Sequence, residues 1–171
     1  STIYYIDFSF DKLKLGGSAF AQSLDKIGKE VPTVQDSEYF ANAFNAVQEL
    51  VNKEFILAGH DISAGGMITT MLEMNFANTE GGLEVSLDEI PEKDLVKILF
   101  SENPGILIQV EKTDEVEKIL KKAGVAFIRL ARPCDERHLL IHKDGADYQF
   151  FIDHLRDVWF ESSYLLDRKQ S

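Results

Sequence analysis

The sequence predicts an α+β domain, a mixed β-sheet with helices packed on it. Short β-rich runs alternate with segments of helical periodicity along the chain. Towards the C-terminal end, "HLLIH–KDGA–DYQFFI" reads as a β-hairpin turning at Asp144–Gly145, which breaks any strict β-α-β rhythm. No internal repeat, low-complexity tract or linker divides the chain, so residues 1–171 read as a single domain.

The elements follow in order. "IYYIDF", residues 3–8, is rich in β-formers and predicts a strand. Gly16 and Gly17 break that pattern, Ser18 is placed to cap a short helix running to about Lys26, and Pro32 closes the unit. Residues 37–54 give the clearest helix: Phe40, Ala43, Phe44, Val47, Leu50 and Val51 share one face, with Asp36 or Ser37 as cap. "FILA", 55–58, predicts a short buried strand, and a helix from Ser63 to about Ala77 turns Met67, Ile68, Met71 and Leu72 inward. Beyond Gly81–Gly82, "LEVSL" alternates as a strand, and residues 92–100 predict a short helix after Pro91. "GILIQVE" is a strand. "TDEVEKILKKAG" is a helix with acids in its first turn and lysines in its last, matching the helix dipole, and Gly124 ends it. "VAFIRLA", the hairpin and a terminal helix with Leu155, Val158 and Trp159 on one side complete the domain. The tail "DRKQS" is polar and reads as a frayed end or a cut from something longer.

Composition narrows the function. The hydrophobic fraction is 44% and the charged fraction 27%, ordinary for a globular protein. The net charge of −11 argues against nucleic acid and against anionic membranes, which require clustered Lys and Arg. No apolar stretch approaches the roughly 20 residues of a membrane span, and the start lacks a signal-peptide pattern. A single cysteine, Cys134, suits a reducing cytoplasm and reads as a structural thiol. His138, His142 and His154 show no metal-ligand spacing, so no metal site is expected.

Two stretches point to chemistry. "LAGHDISAGGMI", 57–68, places His60, Asp61, Ser63, Gly65 and Gly66 at a strand-to-helix junction, where N–H groups are expected to point outward beside a helix dipole. "LGGSA", 15–19, has the same character in Gly16, Gly17 and Ser18. Each pattern suits an anion, and each suits a plain capped turn. Asp61 fits better as an acceptor for a substrate N–H or hydroxyl, or for neighbouring N–H groups. "LFSENPG" sets Glu102 and Asn103 between a helix and a strand, as a site acid or a solvated loop acid. Glu73, on the helix from Ser63 to about Ala77, reads as a surface residue or a supporting partner.

Together "LGGSAFAQ", "GHDISAGGMITTMLEM", "GGLEVSL", "LFSENPGILIQV" and "LRDVWFESSYLLDR" resemble the formylglycinamidine ribonucleotide synthases, in order and over nearly the whole chain. The resemblance falls on the domain similar to the C-terminal domain of aminoimidazole ribonucleotide synthetase. The closing "LR–x–x–W" points to its second copy. That family converts formylglycinamide ribonucleotide to its amidine with ATP and glutamine-derived ammonia. The resemblance implies a substrate-binding domain that works with an ATP-binding domain and a glutaminase domain. ATP and magnesium would be held mainly by the former, with no cofactor expected on this chain. It further implies that Gly16, Gly17 and Ser18 help hold the substrate phosphate. His60, Asp61, Ser63, Gly65 and Gly66 would line the same cleft, and Glu102 matches an acidic position of the family. Met67 stands where the family often has Leu. Cys134, in "ARPCDER", lacks the glycines of a nucleophile elbow, so the chain alone is expected to be silent in catalysis. Two alternatives stand beside this one. Selenophosphate synthetase and hydrogenase-maturation proteins carry similar C-terminal domains, but "LGGSAFAQ" with "LRDVW" disfavours them. The other is a non-catalytic interaction domain whose glycines only make turns.

Overall fold

The computed structural model describes residues 1–168, with side chains to residue 161. The rest of "DRKQS" and the side chains closing "LRDVWFESSYLLDR" lie outside the described residues. A seven-stranded mixed sheet runs through the molecule in the order β2-β4-β1-β5-β3-β6-β7. Its strands are β1 (Thr2–Asp7), β2 (Ile56–Asp61), β3 (Gly82–Ser86), β4 (Gly105–Val110), β5 (Phe127–Cys134), β6 (His138–Lys143) and β7 (Ala146–Phe151). The helices are α1 (Ala19–Ser23), α2 (Ser37–Asn52), α3 (Gly66–Phe76), α4 (Leu95–Phe100), α5 (Thr113–Lys122) and α6 (Ile152–Arg168). Neighbouring strands are antiparallel except β3 and β6. The expected mixed-sheet α+β architecture is therefore the one observed.

β1 explains why two layers of helix form. It pairs with β4 on one side and β5 on the other, and four consecutive residues of it are buried. Side chains alternate across a strand, so Ile3 and Tyr5 enter one core while Tyr4 and Ile6 enter the other. The first core joins α3, α4 and the start of α6 to the sheet; the second joins α2 and α5.

Several elements depart from expectation. In α2 the buried stripe is Ala43, Ala46, Val47 and Leu50, while Phe44 and Val51 are about half exposed at 47% and 50%. The stripe has turned towards two alanines. Asp36 is the cap, accepting from Glu38 and Tyr39 N–H. β2 starts one residue later than "FILA" and runs through Asp61. It is an edge strand, paired only with β4, and Leu57 is exposed rather than buried. α4 begins at Leu95 because Asp94 caps it, so Pro91 precedes the helix instead of opening it. α1 is shorter than expected, ending at Ser23, and the chain from Leu24 to Gln35 is loop. Trp159 packs on Phe76 at 5.6 Å, but Val158 faces outward. The hairpin turns at Asp144 and Gly145, both with positive φ, as an Asp-Gly turn requires.

Candidate functional site

The two glycine turns are joined by a third segment. Glu102 lies in the loop between α4 and β4, and its Oε1 accepts from Gly65 N at 2.9 Å and from Ala19 N at 2.8 Å. One carboxylate thus caps the starts of α3 and α1, which are 46 residues apart by number (65 − 19). A negative group at two helix starts meets both the unpaired N–H groups and the dipoles. Ser63 does not cap α3 with its side chain. Gly65 is the N-cap residue, without a side-chain cap, and the Ser63 carbonyl accepts from Gly66 N at 3.0 Å. Ser18 does cap α1: its buried hydroxyl accepts from Ala21 N and donates to the Leu15 carbonyl.

The residues flanking Glu102 hold its loop. Asn103 is buried, donates to Ser9 Oγ and the Lys12 carbonyl, and accepts from Lys14 N. Ser101, also buried, donates to the Lys14 carbonyl and accepts from Lys14 N. Segment 9–14 is thereby fastened to 101–103, which brings the Gly16–Gly17 turn next to Glu102. Sequence reading missed Ser101, Ser9 and Lys14, because these bonds span about ninety residues and leave no local pattern.

His60 and Asp61 occupy the end of β2 rather than a turn. The Nδ1 of His60 lies 2.7 Å from the Asp61 carbonyl, and its Nε2 lies 3.0 Å from Glu73 Oε2 on α3. Glu73 is therefore the partner that orients the imidazole. The Asp61 side chain is 77% exposed. Its carbonyl accepts from Thr70, whose buried hydroxyl also reaches the Gly66 carbonyl, tying the end of β2 to the first turn of α3.

The expectation of free backbone donors at the turns needs correction. Gly16 N donates to Glu30 O, Gly17 N to Ile27 O, Ser18 N to Leu15 O, and Gly65 and Gly66 donate to Glu102 and Ser63. These five amides are satisfied within the chain. The glycines serve close approach instead. A Cβ on Gly16 would stand 2.2 Å from the Glu30 carbonyl oxygen, and one on Gly66 would stand 2.6 Å from the Leu99 carbonyl oxygen. What the turns present outward is the exposed surface of Gly17, Asp61 and Ser63, with the imidazole of His60 beside it.

Among the described residues no group of three or more His, Cys, Asp or Glu is placed to hold a metal ion, and no helix is long and apolar enough to cross a membrane. Burial pushes the Cys134 thiol up, which disfavours the reactive thiolate.

Sheet order, helices on both faces and two clamped glycine turns define a class of mixed α+β domains. The chain belongs to the family described as AIR synthase related protein, C-terminal domain, whose model matches residues 6–139. A probable phosphoribosylformylglycinamidine synthase of Arabidopsis thaliana is 34% identical over 98% of this chain, and the Homo sapiens phosphoribosylformylglycinamidine synthase is 31% identical over 99%. The chain spans only 12% and 13% of those relatives' lengths. Among solved structures, Thermotoga maritima PurL complexed with ATP superposes with a TM-score of 0.68 over 91% of this chain and 25% of that one, at 16% identity. The same protein complexed with FGAR gives 0.66 over 90% of this chain and 27% of that one, at 20% identity. These two likenesses establish the fold.

Proposed function

We propose that this chain is a substrate-cleft domain of a phosphoribosylformylglycinamidine synthase, a ligase that forms a carbon–nitrogen bond in purine synthesis. Its substrate is formylglycinamide ribonucleotide, and its partners are the ATP-binding and glutaminase domains of the same enzyme, in the cytoplasm. ATP and magnesium belong to the partner domain, and residues 1–171 act as one folding unit. The observation that carries the reading is the Glu102 bridge, which brings both glycine turns of the family resemblance to one place.

Within that cleft the residues take different roles. Gly16, Gly66 and Ser18 shape the wall through close approach and capping. Gly17 and Ser63 face the ligand with Gly65 half-buried behind them, Asp61 accepts a hydrogen bond from a substrate N–H or hydroxyl, and His60 is held beside it by Glu73. Glu102 supports both turns from behind. Because the turn amides are already bonded, the substrate phosphate requires cations or donors from the facing domain as well. This chain alone binds weakly, with Kd on the order of 1 mM. Calorimetric titration with formylglycinamide ribonucleotide tests the reading. The expected result is weak binding that Asp61→Ala lowers several-fold; a folded chain that ignores the ligand contradicts it and favours a plain interaction domain.

A further inference from the structure

A second surface has the chemistry of an anion site. A groove of about 640 Å³ lies between α1, α4 and the loop that follows α1. Its apolar surface includes Phe20 and Leu24, and its rim carries Lys14, Lys26, Lys29 and Lys97, with Glu30 as the one acid lining it. In a chain of net charge −11, four lysines and a single acid line this one groove. Lys14 is paired with Asp11 at 2.6 Å and Lys97 with Glu92 at 3.8 Å. Lys26 and Lys29 have no acidic partner within 4.0 Å among the described residues, so their charges are the ones open to a ligand.

The fold holds these lysines in place. Gly16 N donates to Glu30 O at 2.8 Å and Gly17 N to Ile27 O at 2.7 Å, which staples the 26–30 segment onto the glycine turn. A side chain on Gly28 would strike Gly16 Cα at 2.8 Å, so this packing requires glycine at both positions. Phe20 is fixed by stacking on Phe100, with ring centroids 4.6 Å apart at 27°. The groove therefore offers a rigid aromatic wall and unpaired ammonium groups at its rim. Of the candidate substrate residues it includes only Gly16.

We infer that this groove binds a small organic phosphate carrying a flat apolar group, the ring lying along Phe20 and Leu24 and the phosphate meeting Lys26 and Lys29. The inference does not rest on the proposed function. The probe is 1-naphthyl phosphate, titrated into the 171-residue chain and followed by amide NMR shifts, with inorganic phosphate and 1-naphthol as half-ligands. The expected shifts cluster at residues 14–30 and 97, with each half-ligand binding about ten-fold more weakly than the whole. Lys26→Glu and Lys29→Glu each weaken naphthyl phosphate about ten-fold, and Lys29→Gln less, while far-UV circular dichroism and Tm stay unchanged. Rising salt weakens binding through screening. Binding unaffected by both charge reversals, binding of naphthol as tight as that of its phosphate, or shifts centred elsewhere would overturn it. Failure of formylglycinamide ribonucleotide to bind would leave it standing.

Discussion

Glu102 caps Gly65: one carboxylate oxygen accepts from the Gly65 amide at 2.9 Å while also holding the Ala19 amide at 2.8 Å. A loop acid thereby satisfies the N-cap amide of α3, as the glutamate of a capping box does elsewhere. Capping contacts contribute roughly 0.5–2 kcal/mol each. Glu102→Ala is expected to cost about 2 kcal/mol, a fall in Tm of roughly 4–8 °C for a domain of this size. Glu102→Gln keeps an acceptor oxygen and should lose about half as much. Thermal melts of both variants check this; an unchanged Tm in Glu102→Ala would show that the bridge contributes nothing.

Gly66→Ala should destabilise more than any cap. Its φ of 74° lies in the left-handed region, and the added Cβ would press on the backbone of Leu99 and Phe100 at 2.6–2.8 Å. Strain of about 1–2 kcal/mol and the steric clash together predict a loss of about 3 kcal/mol or more. Gly145→Ala is the control. It has φ of 80° but nothing within 4 Å, so only the strain of about 1–2 kcal/mol applies. Urea unfolding of the two variants should separate them; equal losses would mean the close approach at Gly66 is relieved by a small backbone shift.

Asp61→Ala should separate function from stability. The residue's structural bonds run through its carbonyl, to His60 and Thr70, and its carboxylate is largely exposed. Tm should move by no more than about 2 °C, because surface changes of this kind usually stay within about 0.5 kcal/mol. A fall of several degrees would make Asp61 a structural residue and remove it from the cleft.

Acid stability should depend on Glu117. Hydrogen bonds from Lys121, Arg129 and Tyr4 hold its carboxyl at about 2, below the ordinary value of 4.5. A carboxylate whose folded pKa is lowered stabilises above its unfolded pKa and loses that contribution as pH falls through the folded value. The loss therefore falls between about 4.5 and about 2. Lys121 and Arg129 are more than half exposed, so salt should shrink the effect. Denaturant melts at pH 7, 4 and 2.5 should show a steeper decline for the parent than for Glu117→Gln; parallel curves would contradict the assignment.

Much of this was legible in the sequence because it rests on local rules. The amphipathic run of α5, the Asp36 and Ser18 caps and the Asp144–Gly145 turn are each fixed within a few residues. The inward set Met67, Ile68, Met71 and Leu72 follows from helical spacing, and all four are buried. Tertiary context decided the rest. Phe44 and Leu57 look like core residues by type, yet α2 presents its alanines to the sheet and β2 is left on the edge. One glycine of each pair, Gly16 and Gly66, marks a close backbone approach. Sequence alone could not tell whether the approaching group was a ligand or another part of the chain, and for Gly16 and Gly66 it is the chain. Glu73 and Glu102 found their partners across β2 and α1, contacts with no spacing to reveal them.

The central claim is that the Glu102-bridged turns form a substrate wall, and amide NMR during titration of the chain with formylglycinamide ribonucleotide tests it most directly. The account predicts saturable shifts at Gly17, Asp61, Ser63, Gly65 and Glu102, with Kd on the order of 1 mM, and little change in the β6–β7 hairpin. Shifts confined to other surfaces, or no shifts at ligand concentrations of about 10 mM in a chain whose spectrum shows it folded, would contradict it.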